Sequence, residues 1–293
     1  THFAGQTIEV IVTVFDEVTY SAFFLPYLDW EDCCLAITHT TICAVEQFAD
    51  DATTLGTGIC AIVDRREHHL IASHELEDAL NCGSYEQLAL SILEELFQRH
   101  DTVVAVGGSG LYVQALCEGM DDLPQADEAL RAELARRLEE EGLESLAEEL
   151  RRLDPCYWEQ VDRCNPARVL RALEVCLQCG RPYSELRTGA RRERNFEIVK
   201  VGVDMPREML YRRIDLRVDQ MIEQGLEEEA RRVYPKRTLN SLQTVGYKEL
   251  FAWFDGEIGR EEAIDLIKRN SRRYAKRQLS YWGRDNDIRW MEL

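Results

Sequence analysis

The sequence has no lysine before Lys200 and no glycine between Gly5 and Gly56. A phosphate loop that ends in Gly-Lys-Ser or Gly-Lys-Thr needs both residue types, because glycines bring backbone N–H groups close to the phosphates and lysine neutralises them. These absences exclude such a loop from the first part of the chain. Asp16 and Glu17, which follow the first apolar segment, would instead repel a diphosphate.

Long apolar runs are also missing. No stretch reaches about 18 consecutive apolar residues, so we expect no membrane-spanning helix. The N-terminus lacks a basic stretch followed by an apolar one, which argues against a secretory signal. The ten cysteines are scattered, which favours reduced cytoplasmic thiols over a disulfide framework. Cys176 and Cys179 form a CxxC pair, but no second Cys or His pair accompanies them, so a metal site there is disfavoured.

Positive charge is scarce and unevenly distributed. The net charge is −19, which at first argues against a nucleic-acid partner. Residues 1–100 contain 3 basic and 17 acidic side chains, whereas residues 268–289 contain 8 basic and 2 acidic side chains. The sequence therefore predicts a basic surface near its C-terminal end.

Apolar segments alternate with amphipathic ones, a pattern typical of α/β proteins. Apolar residues make up 45% of the chain, enough for a sizeable core. We predict strands at 7–14, 102–106, 196–204 and in "DIRWMEL", and helices at 84–99, 206–234 and 259–284. Ser84 is the predicted N-cap of the first helix, and Gly225 is expected to interrupt the second. Residues 15–84 show no clear period.

The segment 125–190 consists almost wholly of strong helix formers. Gly142 is expected to break its first helix. In "NPARVLRALEVCLQCG", Asn165 suits the N-cap, Pro166 the first turn and Gly180 the end of a helix. We therefore predict a core domain of residues 1–124 and 191–293 with a helical insertion domain of residues 125–190.

Three segments are candidates for chemistry. In "TVVAVGGSGLY" a buried strand ends in bare glycines, which lets a ligand approach the backbone, and Ser109 would present a hydroxyl there; a tight strand-to-helix turn is the alternative. Arg213 and Arg217 lie four residues apart, so they share a helix face that suits a diphosphate; a solvated face with Asp215 and Asp219 as partners is the alternative.

The third candidate is "IKRNSRRYAKRQLSYW". Its basic residues form two neighbouring lines on a helix, with aromatic residues between them, a pattern that suits contact with a phosphate backbone. An ordinary charged surface helix is the alternative. The two lines are Arg269, Arg273, Arg277 and Lys268, Arg272, Lys276, and the aromatic residues are Tyr274, Tyr281 and Trp282.

Five segments occur in the order and at the spacing found in the tRNA dimethylallyltransferases. They are "VGGSGLYVQALCEGMDDLP", "NPARVLRALEV", "LYRRIDLRVDQMIEQGLEEEARRVY", "LNSLQTVGYKEL" and "RRYAKRQLSYWGRD". The sequence thus resembles this family from about Ser84 to Leu293. The resemblance implies an α/β core with a parallel sheet like that of P-loop NTPases, helices on both of its faces, and a helical insertion that grips the anticodon arm of tRNA.

The implied reaction moves a dimethylallyl group from dimethylallyl diphosphate to N6 of the adenosine adjacent to the anticodon, with Mg²⁺ as cofactor. The adenine would leave its stack to reach the site. The partners would be the tRNA anticodon stem-loop and dimethylallyl diphosphate, and we expect a cytoplasmic monomer that does not bind membranes.

The resemblance also implies roles for single residues. Ser109 would contact the adenine and Arg217 the diphosphate, as catalytic residues facing one cavity, and the sequence assigns no metal ligand. The other substrate contacts would be Gly107, Gly108, Gly110, Tyr112 and Arg213, and the tRNA contacts Asn165, Arg168, Arg171, Gln243, Arg273, Lys276, Arg277 and Gln278.

The front of the chain departs from the family pattern. Besides the phosphate loop, it lacks the Asp-Ser pair whose aspartate acts as general base; Glu46, Asp50 and Asp51 are the only carboxylates in the matching region, and none receives that role. The chain is then a diverged member that binds tRNA without transfer, or uses an unrelated phosphate site, or carries an altered segment over its first ~65 residues. A P-loop kinase is a more distant alternative, because it needs the missing loop most.

Overall fold

The computed structural model describes residues 6–13, 41–44, 68–70, 74, 76, 77 and 80–292. The chain divides into two compact units. One, which we call the helical unit, is Glu118–Arg192, and the other, which we call the sheet unit, contains the described residues before and after it. The predicted insertion, 125–190, lies within the borders of the helical unit.

The described strands of the sheet unit form one sheet in the order β3-β2-β4-β1-β5-β6. They are β1 (Thr7–Thr13), β2 (Thr41–Ala44), β3 (His68–His69), β4 (Thr102–Gly107), β5 (Glu197–Asp204) and β6 (Ile288–Glu292). Strands β4, β1, β5 and β6 are parallel, with Val10 opposite Ala105 on one side and Lys200 on the other. Strand β2 runs antiparallel to β4, and β3 antiparallel to β2. The predicted α/β fold with a parallel sheet is confirmed, and β2 and β3 add an antiparallel edge.

The parallel strands are buried because their sequences are apolar at successive positions. Val103, Val104 and Ala105 are all buried, although neighbouring side chains point to opposite faces of the sheet. In β1 the side chains of Ile8 and Val10 have no exposed surface. Both faces of β4 are therefore covered, as the helix-flanked fold requires.

The helices follow the predicted alternation. They are α1 (Cys82–Leu96), α2 (Gly110–Glu118), α3 (Glu128–Leu153), α4 (Pro155–Gln160), α5 (Pro166–Cys179), α6 (Tyr183–Leu186), α7 (Arg207–Glu223), α8 (Leu226–Val233), α9 (Tyr247–Phe254) and α10 (Arg260–Trp282). Gly225, with φ 105°, separates α7 from α8, which confirms the predicted interruption. None of the helices within the described residues combines the length and apolar composition that a bilayer crossing requires.

The start of α1 corrects one prediction. Ser84 is not the N-cap; the N-cap is Asn81, whose side-chain oxygen accepts the backbone N–H of Ser84 at 2.9 Å. The helix therefore begins at Cys82, two residues before Ser84. Asparagine and serine are similarly good caps, so composition alone did not distinguish the two positions.

The helical unit confirms the predicted helix boundaries. Gly142 has non-helical backbone angles, φ 81° and ψ 164°, inside α3. The Asn165 side chain accepts the N–H of Arg168, Pro166 occupies the first turn of α5, and Gly180 ends the helix with φ 63°. Apolar side chains of α3 and α5, among them Leu146, Leu150, Val169 and Leu173, form its core.

A second core lies in the sheet unit among α7 to α10. It contains Val218, Leu242, Tyr247, Leu250 and Ile267, all almost fully buried. Helices α7 and α10 run antiparallel, because Asp215 pairs with Arg272 while Asp219, one turn later on α7, pairs with Lys268, one turn earlier on α10. This packing fixes the side of α10 that remains exposed.

Candidate active site at the glycine turn

The glycine turn, residues 107–110, connects β4 to α2. Gly107 and Gly108 are buried and Ser109 is half-buried. The Ser109 carbonyl accepts the N–H of Val113 at 3.1 Å, as expected at a helix start. Within the described residues its hydroxyl has no hydrogen-bond partner. The turn lies where β4 ends, the side of a parallel sheet at which α/β proteins bind ligands.

Tyr112 is anchored within the protein. Its hydroxyl donates to the carbonyl oxygen of Leu80 at 2.8 Å, and its ring meets that of Tyr85 edge to face at 5.0 Å. These contacts tie the first turn of α2 to the start of α1. A direct contact between Tyr112 and substrate stays a prediction.

The last turn of α10 lies directly against the glycine turn. The indole N–H of Trp282 is 3.3 Å from the carbonyl oxygen of Gly108. The ring of Tyr281 covers Gly110, and its hydroxyl donates to Gln114 Oε1 at 2.8 Å. The sequence pattern indicated Tyr281 and Trp282 as stacking residues of an RNA-binding helix and missed this contact, because nothing local links two segments so far apart in the chain.

Arg213 and Arg217 occupy the same side of α7 but differ in burial. Arg217 is 9% exposed, and its Nη1 atom lies 3.5 Å from Gln220 Oε1. Arg213 is exposed. A buried guanidinium with an exposed one a turn earlier is compatible with a diphosphate that enters from solvent, and both roles stay predictions.

The alternative for this helix named Asp215 and Asp219 as partners of the two arginines. The structure instead pairs Asp215 with Arg272 and Asp219 with Lys268 on α10. Two of the basic side chains predicted to face RNA are therefore used in helix packing. Asp215 and Asp219 thus join α7 to α10.

The remaining basic side chains of α10 face solvent. Arg273, Lys276 and Arg277 are exposed, and the Arg277 guanidinium lies 5.4 Å from the centre of the Tyr274 ring. Within the described residues no carboxylate forms an ion pair with any of the three. They form the exposed basic face of α10, as the contact with RNA requires.

Gln278 lies on the opposite side of α10. It is 5% exposed, and neither its amide oxygen nor its amide nitrogen has a hydrogen-bond partner in the described part of the chain. An unpaired buried amide is costly, and such groups are often completed by a ligand. Its predicted role in tRNA binding is thus not that of a surface contact.

Gln243 precedes a turn that is joined to α10. Its amide donates to the carbonyl oxygen of Arg237 at 2.7 Å, and its side chain is exposed. Three residues later Gly246 adopts φ 102°, which favours glycine. The turn is held because Glu249 accepts both the Gly246 N–H and the amide of Asn270 on α10.

The predicted tRNA contacts of the helical unit differ in availability. The Asn165 side-chain oxygen caps α5, and Arg171 donates to Glu174 at 2.8 Å and to the carbonyl oxygen of Pro124 at 3.0 Å. Arg168 is exposed. Glu174, which sequence reasoning missed, is the buried centre of this arrangement and accepts a second guanidinium, that of Arg131. The three tRNA contacts stay predictions.

The sequence assigned no metal ligand, and the cavity shared by Ser109 and Arg217 stays a prediction. Within the described residues no three His, Cys, Asp or Glu side chains converge into a group that could hold a metal ion. Two cavities are described: one of about 630 Å³ is lined by Asp215 of α7 and by residues of α10, and one of about 120 Å³ is lined by residues of α1 and the segment before β5. Neither is lined by Ser109 or Arg217. Asp16, Glu17, Glu46, Asp50 and Asp51 lie outside the described residues.

Comparison with known proteins gives one consistent family. The family model described as "IPP transferase" matches residues 57–285. The tRNA dimethylallyltransferase of Cytophaga hutchinsonii is 50% identical over 223 residues, 76% of this chain and 73% of that protein. That of Christiangramia forsetii is 48% identical over 226 residues, 77% of this chain and 75% of that protein.

A solved structure agrees. The crystal structure of the full-length tRNA isopentenylpyrophosphate transferase from Bacillus halodurans is 30% identical and superposes with a TM-score of 0.57, covering 98% of this chain and 90% of that one. The segment that the family model matches includes the glycine turn, α7 and all of α10. The chain therefore belongs to the IPP transferase family.

Proposed function

We propose that this protein transfers a dimethylallyl group from dimethylallyl diphosphate to N6 of the adenosine adjacent to the anticodon of tRNA. One observation carries the proposal beyond family membership. The helix whose exposed face suits RNA, α10, ends on the glycine turn that presents Ser109. An RNA-binding face and a ligand-approach turn thus meet on one rigid element.

Arg217 has the properties required to stabilise the departing diphosphate. In the transfer, the bond between C1 of the dimethylallyl group and the bridging oxygen breaks, and negative charge develops on the diphosphate. A guanidinium that is 9% exposed acts through a low effective dielectric, where its attraction for this charge is stronger than in water. Arg213, exposed one turn earlier, would meet the incoming diphosphate first.

Ser109 offers a hydroxyl that can donate and accept, which suits the edge of an adenine. The adenine N6 atom forms the new bond to C1, and N6 then loses a proton to a base. None of the described residues receives the role of that base, since the carboxylates of the matching region lie outside them. We therefore propose Ser109 as an adenine-orienting group and not as the proton acceptor.

The exposed basic face of α10 would hold the RNA backbone. Arg273, Lys276 and Arg277 have no carboxylate partner among the described residues of a protein whose net charge is −19, so they provide a local attraction for phosphates within an otherwise repulsive field. The Tyr274 ring beside Arg277 adds a surface on which a base can stack. Arg168 of the helical unit is proposed as a further contact with the anticodon arm.

Mg²⁺, a cytoplasmic location and a monomeric state belong to the same proposal. The described residues do not form a protein cage for a metal. Mg²⁺ is often bound through substrate phosphates with only one or two carboxylates, so its requirement is part of the test. These three proposals derive from the family resemblance.

The proposal is tested by an assay of dimethylallyl transfer to tRNA. Purified protein is incubated with dimethylallyl diphosphate, Mg²⁺ and a tRNA that carries adenosine at the modified position, and the tRNA is analysed by mass spectrometry. We expect one prenyl addition that is absent when guanosine replaces this adenosine and that depends on Mg²⁺. A tRNA that is bound but never modified would overturn the proposed reaction.

A second candidate function is tRNA binding without transfer. The front of the sequence favours it, because the phosphate loop and the Asp-Ser pair are missing. This candidate predicts tRNA affinity that falls steeply with salt and no product at any diphosphate concentration. The same experiment, with a binding measurement beside it, separates the two functions.

A further inference from the structure

We propose that Tyr281 and Trp282 are positioning residues that hold the glycine turn in the geometry from which Ser109 acts. The inference rests on the proposed function, since it needs Ser109 to contact substrate. It assigns the end of α10 a role different from RNA contact. Three features of the structure carry it.

The first feature is the hydrogen bond between Trp282 and Gly108. Trp282 is 3% exposed, and its indole N–H is directed at the carbonyl oxygen of Gly108, 3.3 Å away. Gly108 is itself buried, so this carbonyl has little access to water. The bond fixes the peptide plane immediately before Ser109, because that carbonyl belongs to the peptide that joins the two residues.

The second feature is the contact between Gly110 and Tyr281. A Cβ added at Gly110 would lie 2.5 Å from Cε1 of Tyr281, far inside contact distance. Only glycine therefore allows the ring to lie on the turn. The Tyr281 hydroxyl is held in turn by Gln114, one helical turn further along α2, at 2.8 Å.

The third feature joins the two aromatic residues. Their ring centres are 4.9 Å apart and the rings meet at 84°, an edge-to-face contact. Displacing one ring therefore disturbs the other. Ser109 lies between Gly108 and Gly110, so the backbone on both sides of it is held by one pair of packed rings.

This arrangement holds the backbone around Ser109 through contacts that do not involve the Ser109 hydroxyl. The hydrogen bonds of Tyr281 and Trp282 are made to Gln114 and to the Gly108 carbonyl, and within the described residues the Ser109 hydroxyl accepts and donates none. The hydroxyl can therefore both donate a hydrogen bond to a substrate and accept one from it. The exposed basic face lies one to two turns earlier on the same helix, so RNA contact and the turn share one rigid support.

The experiment first removes one hydrogen-bonding group from each residue of the pair. Trp282→Phe keeps an aromatic ring and removes the N–H, and Tyr281→Phe keeps the ring and removes the hydroxyl. We expect kcat for transfer to fall roughly 10-fold in Trp282→Phe, while KM for tRNA and tRNA affinity change less than about 2-fold. Trp253→Phe is the matched control, because it removes an indole N–H on α9 in the same unit, and its kcat should equal that of the wild type.

A double-mutant cycle tests the contact without relying on the stability of one variant. Gly110→Ala should lower kcat by displacing the Tyr281 ring, and in the Tyr281→Ala background the same change should have no further effect. Gly110 does not need a positive φ, so Ala is otherwise tolerated there. Independent losses from the two substitutions would overturn the contact as the cause.

The outcomes distinguish this inference from the proposed function. If the wild-type protein transfers no prenyl group, both the proposed function and the positioning role are overturned. An active wild type with unchanged kcat in Trp282→Phe and in Gly110→Ala overturns the positioning role alone. A fall in kcat matched by an equal loss of tRNA affinity would also overturn it, because the two residues would then act in RNA binding.

Discussion

The amide of Asn270 on α10 donates to the carboxylate of Glu249 on α9 at 2.6 Å. The second oxygen of this carboxylate accepts the backbone N–H of Gly246 at 2.8 Å. Glu249 is buried, and each of its carboxylate oxygens accepts one of these two hydrogen bonds. One side chain thereby connects the turn that follows Gln243 to the middle of the basic helix.

Replacement of Glu249 by Gln should destabilise the protein. The new amide brings donors toward Gly246 N–H and Asn270, so at least one buried donor loses its acceptor, at a cost of about 1–3 kcal/mol in the free energy of unfolding. Denaturant unfolding would measure the loss. Glu261→Gln, on an exposed part of α10, is the control and should change stability little. Equal stability of Glu249→Gln and wild type would contradict the structural role.

Arg217→Ala should impair use of the diphosphate. We expect kcat/KM for dimethylallyl diphosphate to fall roughly 10²-fold or more, because the guanidinium acts on charge that develops in the transition state. Affinity for tRNA should stay nearly unchanged. Steady-state kinetics and tRNA binding are measured side by side.

The control for Arg217 is Arg212→Ala, an exposed arginine on the same helix. Because Arg217 is buried, Arg217→Lys is measured as well. Lysine keeps the positive charge but lacks the planar guanidinium that binds two oxygens at once, so kcat/KM for dimethylallyl diphosphate should lie between the values of wild type and Arg217→Ala. Loss of tRNA binding equal to the loss of diphosphate use would contradict the assigned role.

The exposed basic face of α10 predicts a change in salt dependence. Removal of Arg273 and Arg277 should weaken tRNA binding and reduce the slope of log affinity against log salt by about 1 for each lost contact. KM for dimethylallyl diphosphate should not change. Arg289→Ala, at an exposed basic residue on β6, removes one charge, as each single α10 substitution does, and should leave the slope as it is. An unaltered slope in the α10 variants would place the RNA elsewhere.

Gln278→Met should make the protein more stable and less active. The side chains have similar volume, and the substitution removes two buried polar atoms that have no hydrogen-bond partner in the described residues. We expect a gain of about 1 kcal/mol in unfolding free energy, together with weaker tRNA binding or slower transfer. Thermal unfolding and transfer assays check both. Gln224→Met, exposed at the end of α7, should show neither effect; a lower melting temperature of Gln278→Met would show that the amide has a structural partner.

The boundaries of secondary structure were largely readable from the sequence. Asn165, Pro166 and Gly180 delimit α5, and Gly225 separates α7 from α8, because each signal acts within about one helical turn of its own position. The start of α1 was missed because Asn81 and Ser84 are both good caps. The burial of β4 followed from its uninterrupted apolar residues.

The candidate residues could be named from the sequence but not grouped. Helical spacing placed Arg213 and Arg217 on one side of α7, but could not show that one is buried and the other exposed. It also suggested that Asp215 and Asp219 serve these arginines, whereas the packing of α7 on α10 gives them to Arg272 and Lys268. Residue spacing shows which side chains share a face of a helix. Which charged side chains form ion pairs depends on the helix that packs against that face.

The sequence by itself determined the family, the alternation of strands and helices, and the identity of the basic helix, because these are written in local spacing and in motifs. Tertiary structure decided which segments touch. Trp282 and Gly108 are 174 residues apart in the chain, and no local signal relates them. They meet because β4 is packed into the parallel sheet and α10 is packed against α7, so the path of the folded chain, and not the residues near either position, brings the indole to the glycine turn.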